Sequence, residues 1–208
     1  MEPQERQVAA LLAATTGVVM LVSVVSLLLF FAVGAPFGAI NDWTVGLAGL
    51  LSGLLAAALW SARGELAGAA TLAAIVAAVG AVIVVVGAIL VISDRTGFLL
   101  AGLVESLGFA LLGVWLISLN WFDASRSDWP PRLRRLGLVA GVVMALGFVD
   151  APGVALGIDD AASAPAWIWL GFVGWLGIFV LFPVWTLWLA RFERSSRARV
   201  ARDASRGA

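Results

Sequence analysis

The sequence predicts an all-α, polytopic integral membrane protein: a bundle of six transmembrane helices with the N- and C-termini in the cytoplasm. Three observations carry that prediction. Hydrophobic residues make up 62% of the 208 residues and charged residues 12%, where a soluble domain has about 45–50% and about 25%. The apolar residues gather in runs near the roughly 20 residues that a helix needs to cross a bilayer core. The arginines gather at alternate ends of those runs. Barrel strands are excluded, because the runs are too long for them and lack period-two alternation.

The expected spans are residues 10–33, 43–60, 69–92, 97–119, 134–154 and 166–190, followed by an Arg-rich cytoplasmic tail, 191–208. Glu2 and Glu5 accompany Arg6 ahead of the first span, which is not the basic leader of a secretory signal, so that span is read as retained. The second follows an outer loop reading Ala35-Pro36-Phe37-Gly38-Ala39-Ile40-Asn41-Asp42, and the third closes on Asp94 and Arg95. The fourth contains Glu105, and the fifth leads from Arg132, Arg134 and Arg135 to Asp150. Arg135 and Asp150 are roughly 22 Å apart along a helix. That is less than a bilayer core, so Asp150 dips below the outer surface or Arg135 snorkels inward. In the sixth span, Pro183 should kink the helix.

Lipid supplies no hydrophobic drive between helices, so small residues should mark the packed faces. Such series are Gly49, Gly53 and Ala57; Ala70, Ala74 and Ala78; Gly137, Gly141 and Ala145; and Gly171, Gly174 and Gly177. Orientation follows from charge. With six spans, Arg6, Arg63, Arg126, Arg132, Arg134, Arg135 and the six tail arginines share one side, and Arg95 stands alone on the other. An interfacial aromatic belt accounts for Trp43, Trp167 and Trp169 at the outer surface and for Trp60, Trp121, Trp129, Trp185 and Trp188 at the inner one.

The chain has no Cys, His, Lys or Tyr. That excludes thiolate chemistry, histidine-held haem and a Schiff-base lysine. Ionisable chemistry is left to Asp, Glu and Arg. Neither a resident metal nor a cofactor is expected. The formal charge is zero, so no nucleic-acid partner is expected; the expected partners are the lipid bilayer, further copies of the chain, and a hydrophobic or small-molecule ligand. Arginine as the sole basic residue, with heavy Ala, Gly and Val usage, fits a GC-rich bacterial genome and a place in the cytoplasmic membrane.

Glu105 is the ionisable residue clearly inside a span, where a carboxyl must face protein or a watery cavity. Glu105 and Asp150 are the candidate catalytic carboxyls. Asn41, Asp42 and Arg95 could converge with them beneath the outer surface as substrate-binding groups. Trp115, Trp175 and Phe109 are candidate apolar or cation-stabilising walls, with core packing the alternative for both tryptophans. Asp159 and Asp160 read as solvated loop residues.

The stretch Trp129-Pro130-Pro131-Arg132-Leu133-Arg134-Arg135-Leu136-Gly137-Leu138-Val139-Ala140-Gly141 resembles a recurrent pattern of uncharacterised six-span bacterial, actinobacterial-type membrane proteins. In that pattern a cytoplasmic Pro-Arg turn leads into a Gly-rich helix. Gly113-Val114-Trp115-Leu116-Ile117 and Phe182-Pro183-Val184-Trp185-Thr186-Leu187-Trp188 are similar in style. The resemblance implies a six-helix fold and transfers no catalytic residue. Three functions fit. The first is a non-enzymatic structural or accessory protein, in which Glu105 meets only protein. The second is a small proton-linked transporter or channel using Glu105. The third is a membrane enzyme acting on a lipid or isoprenoid by acid catalysis of the terpene-cyclase kind, although no terpene-cyclase string is present.

Overall fold

The computed structural model describes residues 3–61, 68–121 and 129–206. Arg63 and Arg126, used above for orientation, lie outside the described residues. Four long helices open the chain: α1 (Pro3–Val33), α2 (Phe37–Ser61), α3 (Ala69–Ile92) and α4 (Phe98–Trp121). The fifth span combines α5 (Pro131–Ala145), a 3-10 turn (Leu146–Asp150) and α6 (Ala151–Ala155). The sixth combines α7 (Ile168–Gly171), α8 (Val173–Leu176), a π-helical segment (Gly177–Leu181) and α9 (Phe182–Arg206). Six helical stretches are long and apolar enough to cross a membrane, and no strand occurs among the described residues.

Each span packs on the next, and α9 returns to pack along α1, closing a ring. α4 is the most enclosed: 56% of its apolar window is buried, against 33% for α1, α3 and the fifth span. It touches α3 and α5 on either flank and also reaches α2 and the sixth span. On α1 the buried stripe runs Ala9, Ala13, Thr16, Met20, Ser23 and Leu27, the alternation of three and four that keeps one helix face inward. On α2 it runs Asn41, Val45, Ala48, Ser52, Leu55 and Leu59. α2 starts at Phe37, directly after Pro36, so Asn41 and Asp42 belong to the helix rather than to a loop. Phe37-Gly38-Ala39-Ile40 simply continues the apolar run, and a proline just ahead of a helix sacrifices no internal bond.

The glycines set the close approaches. A Cβ on Gly113 would stand 2.7 Å from the Gly141 carbonyl oxygen, and one on Gly141 the same distance from the Gly113 oxygen. Backbones of α4 and α5 therefore touch there. α3 and α4 meet similarly at Gly80 and Gly108. This corrects the third-span series: Ala78 is exposed and Ala70 and Ala74 are half-buried, while Ala77, Gly80, Ala81, Val84, Gly87 and Ala88 face inward. Ala57 is likewise exposed, though Gly49 and Gly53 pack on α3. The full glycines, which permit the nearest approach, outrank the alanines in choosing the face.

The C-terminal half of the fifth span and the N-terminal half of the sixth share an unusual period. Gly147, Asp150 and Gly153 are buried at every third position, as are Gly171, Gly174 and Gly177. A normal helix would rotate such residues off one face. The 3-10 winding of Leu146–Asp150 has about three residues per turn and keeps them aligned. The sixth span starts equally tightly, with backbone bonds from Ile168, Trp169 and Leu170 to carbonyls three residues back. Its π-helical segment then winds loosely before α9 resumes.

At the other end of the bundle, Arg6 Nη1 donates to Glu193 Oε2 at 3.0 Å, and Trp129 Nε1 donates to Glu193 Oε1 at 2.9 Å. The start of α1 is thereby tied to α9. Trp129 and Trp185 are buried rather than interfacial: Trp185 meets Trp115 edge-on at 6.3 Å and Trp129 at 5.9 Å, and stacks on Phe182 at 6.1 Å. Trp43, Trp121 and Trp169 are exposed, at 65%, 62% and 50%. The segment past Ala190 continues α9 to Arg206 without a break.

Candidate functional site

A partly open cleft lies within the bundle, lined by residues of α1, α2, α4 and the sixth span. Its non-atom space is about 330 Å³ with open solvent included, but the room for water-sized bodies is only about 20 Å³. That suits one water rather than a large organic molecule. Leu27 contributes from α1, Asn41 and Val45 from α2, and Trp175, Ile178 and Phe179 from the sixth span. α4 supplies Phe98, Gly102, Glu105, Ser106 and Phe109. The packing of α1 against the sixth span is concentrated on α9, so the two helices separate toward this end.

Glu105 sits about 10 Å along α4 from Phe98. Its stem lies against α3 at Gly87, where a Cβ would stand 2.6 Å from Glu105 Cγ. Glu105 Oε1 is closed off from solvent and has no hydrogen-bond partner. Asp42 is close enough to Glu105 to act on it electrostatically. Asn41 is buried, and its Oδ1 accepts a hydrogen bond from Ser23 Oγ at 3.0 Å. Trp175 forms part of an aromatic row, 4.2 Å from Phe172 and 5.8 Å from Phe179 between ring centres. Phe98 is packed beneath Phe30 and Phe31 of α1, at 5.6 and 6.1 Å.

The structure thus brings together Asn41, Asp42, Glu105, Phe109 and Trp175. It does not bring in the other three candidates. Arg95 is exposed in the turn after α3 and forms no ion pair among the described residues. Trp115 lies about 15 Å further along α4 than Glu105, in the aromatic core against Trp185. Together with Leu112, Leu116 and Phe182 it belongs to the packed core beyond the cleft. Asp150 is buried inside the fifth span, which continues past it to Ala155, but it is not on the cleft wall. It lies behind Ser106 instead.

Ser23 and Ser106 were not anticipated. Ser106 Oγ is buried without a partner, like Glu105 Oε1 beside it in sequence. The signal for it was only its place next to the carboxyl. Asp159 is also more than a solvated loop residue. Its carboxylate accepts hydrogen bonds from the backbone N–H groups of Gly97 and, at 3.0 Å, Leu100. It therefore caps the N-terminus of α4, where unpaired donors and the helix dipole favour an anion. Asp160 accepts from Ala162 N at 2.9 Å and shapes its own turn. No group of three or more acidic side chains able to hold a metal ion occurs among the described residues.

Searches of protein-family models, of curated proteins and of solved structures found no match to this chain. The class is therefore defined by fold and cleft: an all-helical protein with six apolar helices and a carboxyl-bearing internal cleft.

Proposed function

We propose that this is a multi-pass protein of a bacterial cytoplasmic membrane with both ends in the cytoplasm, and that it works as a small proton-linked transporter or channel. Glu105 is its proton-binding carboxyl. Membrane residence is supported by the outward apolar faces, including Leu28 at 64% exposure, Leu72 at 62% and Leu156 at 72%; a soluble monomer rarely shows apolar patches beyond a few hundred Å². Orientation is supported by the arginine distribution.

The single observation that carries the transport reading is the solvent-shielded, partnerless Oε1 of Glu105 on the wall of a partly open cleft. An unsatisfied buried polar group costs about 1–3 kcal/mol, and a carboxyl kept in that state on a cleft wall suits a group that exchanges a proton. An isoprenoid would need far more room than about 20 Å³. Protons and water fit that space. The packed aromatic core beyond the cleft blocks a continuous pore, so passage requires movement, and the π-helical segment and Pro183 are where the winding of the sixth span is irregular.

The test is reconstitution of the full chain into liposomes, with a potassium gradient and valinomycin driving proton entry read by an internal pH dye. Glu105→Gln is expected to lower the proton flux at least about tenfold, equivalent to about 1.4 kcal/mol in the rate barrier. Equal flux through the wild type and Glu105→Gln would remove Glu105 from the pathway.

A further inference from the structure

Asp150 is a buried carboxyl that the cleft does not use. It is fully buried, and the Ser106 side chain is a polar group that acts on its carboxyl. It stands where the 3-10 turn of the fifth span passes into α6. Gly171 of α7 faces it so closely that a Cβ there would overlap the carboxyl group. Across from it on α4 is Ser106, whose buried Oγ lies against the carboxyl.

The elements packed around Asp150 are α4, α5, α6, α7 and α8. Their ionisable side chains are Glu105 on α4 and Arg132, Arg134 and Arg135 at the far end of α5. Those arginines begin roughly 22 Å away, so among the described residues no cation on these elements stands beside Asp150. An ionised carboxylate in such a place is costly, so it serves only as a transient of proton exchange. A proton is the occupant that fits.

We infer that Asp150 is a second proton-binding site, linked to Glu105 through the Ser106 hydroxyl. A serine hydroxyl donates one hydrogen bond and accepts others, so it can bridge two carboxyls. In the exchange, the Asp150 O–H bond breaks as its proton joins Ser106 Oγ, and the original serine proton leaves to form an O–H bond on the Glu105 carboxylate. The serine ends unchanged and one proton has moved. The inference rests on the proton-binding role of Glu105 and deepens it, by giving the cleft a proton store between the fifth and sixth spans.

Infrared spectroscopy of the full chain in lipid bilayers, titrated with pH and without any gradient, tests it through the carbonyl band of protonated carboxylic acids. Glu105→Gln should remove one such band and Asp150→Asn another. Ser106→Ala should shift the Asp150 band and move the titration midpoint of the Glu105 band by at least about half a pH unit. Loss of no band in Asp150→Asn would overturn the inference. So would a Ser106→Ala spectrum with both readings unchanged, and that small substitution keeps the test decisive if Asp150→Asn fails to fold. Failure of the flux test with both bands behaving as described would refute transport but leave the coupled pair standing. Glu105-dependent flux without an Asp150 band would do the reverse.

Discussion

Several hydroxyls in this chain are satisfied within their own helix. Thr16 Oγ1 donates to Leu12 O at 2.8 Å, Ser52 Oγ to Ala48 O at 2.7 Å and Ser118 Oγ to Val114 O at 2.9 Å. Other buried polar atoms have no such bond: Glu105 Oε1, Ser106 Oγ and the Asp150 oxygens, and also Thr96 Oγ1, Asn120 Oδ1 and Trp185 Nε1. Both carboxyls were legible in the sequence, because an acid within an apolar run must have a reason to be there. Ser106 was not, since a serine in such a helix can always bond back to a carbonyl one turn earlier. The backbone offers its own test at this scale. Asp94 has φ +53°. It ends α3 in a Schellman motif, with Asp94 N bonded to Val91 O at 3.1 Å and Arg95 N to Leu90 O at 2.9 Å. Glycine is at ease in that conformation, so Asp94→Gly is expected to stabilise the protein by about 0.5–1 kcal/mol, seen as a higher midpoint in detergent thermal unfolding.

Among the elements, the helix–helix seams depend on which residues lack a Cβ, and periodicity alone misjudged one of them. The alanines of α3 recur every four residues, yet the face that meets α4 is the one bearing Gly80 and Gly87. A Cβ on Gly80 would stand 2.6 Å from the Gly108 carbonyl oxygen, which cannot retreat without moving the α4 backbone. Gly80→Leu is therefore expected to cost about 3 kcal/mol through overpacking, while Ala78→Leu, on the exposed face, should stay within about 0.5 kcal/mol of wild type. Equal losses in detergent unfolding would show the seam to be wrongly placed. The glycine triplet of the sixth span did mark a true seam. The tight winding behind its spacing of three, and the matching 3-10 turn in the fifth span, came only from the structure, because Gly147, Asp150 and Gly153 do not share a residue type.

For the whole molecule, closure of the ring brings Arg6 and Glu193 together, although 187 positions separate them. The positive-inside reading carries the expected orientation: a fluorescent reporter that matures only in the cytoplasm should light up at the C-terminus, and one that is active only outside should work when inserted at Arg95. The reverse pattern would invert the bundle. The number of long helices follows from hydrophobic run length, which is a local property matched to bilayer thickness, while their ends run past the apolar stretches, as α9 does to Arg206. The expected side of each loop rests on arginine placement in the same local way. Membership of the cleft does not. Asn41 and Trp175 face Glu105, while Arg95 and Trp115 stand apart, because helix rotation and the parting of α1 from the N-terminal half of the sixth span arise from close packing between distant segments. Depth in the membrane can be counted along one helix; direction around its axis depends on neighbours that a linear chain does not specify.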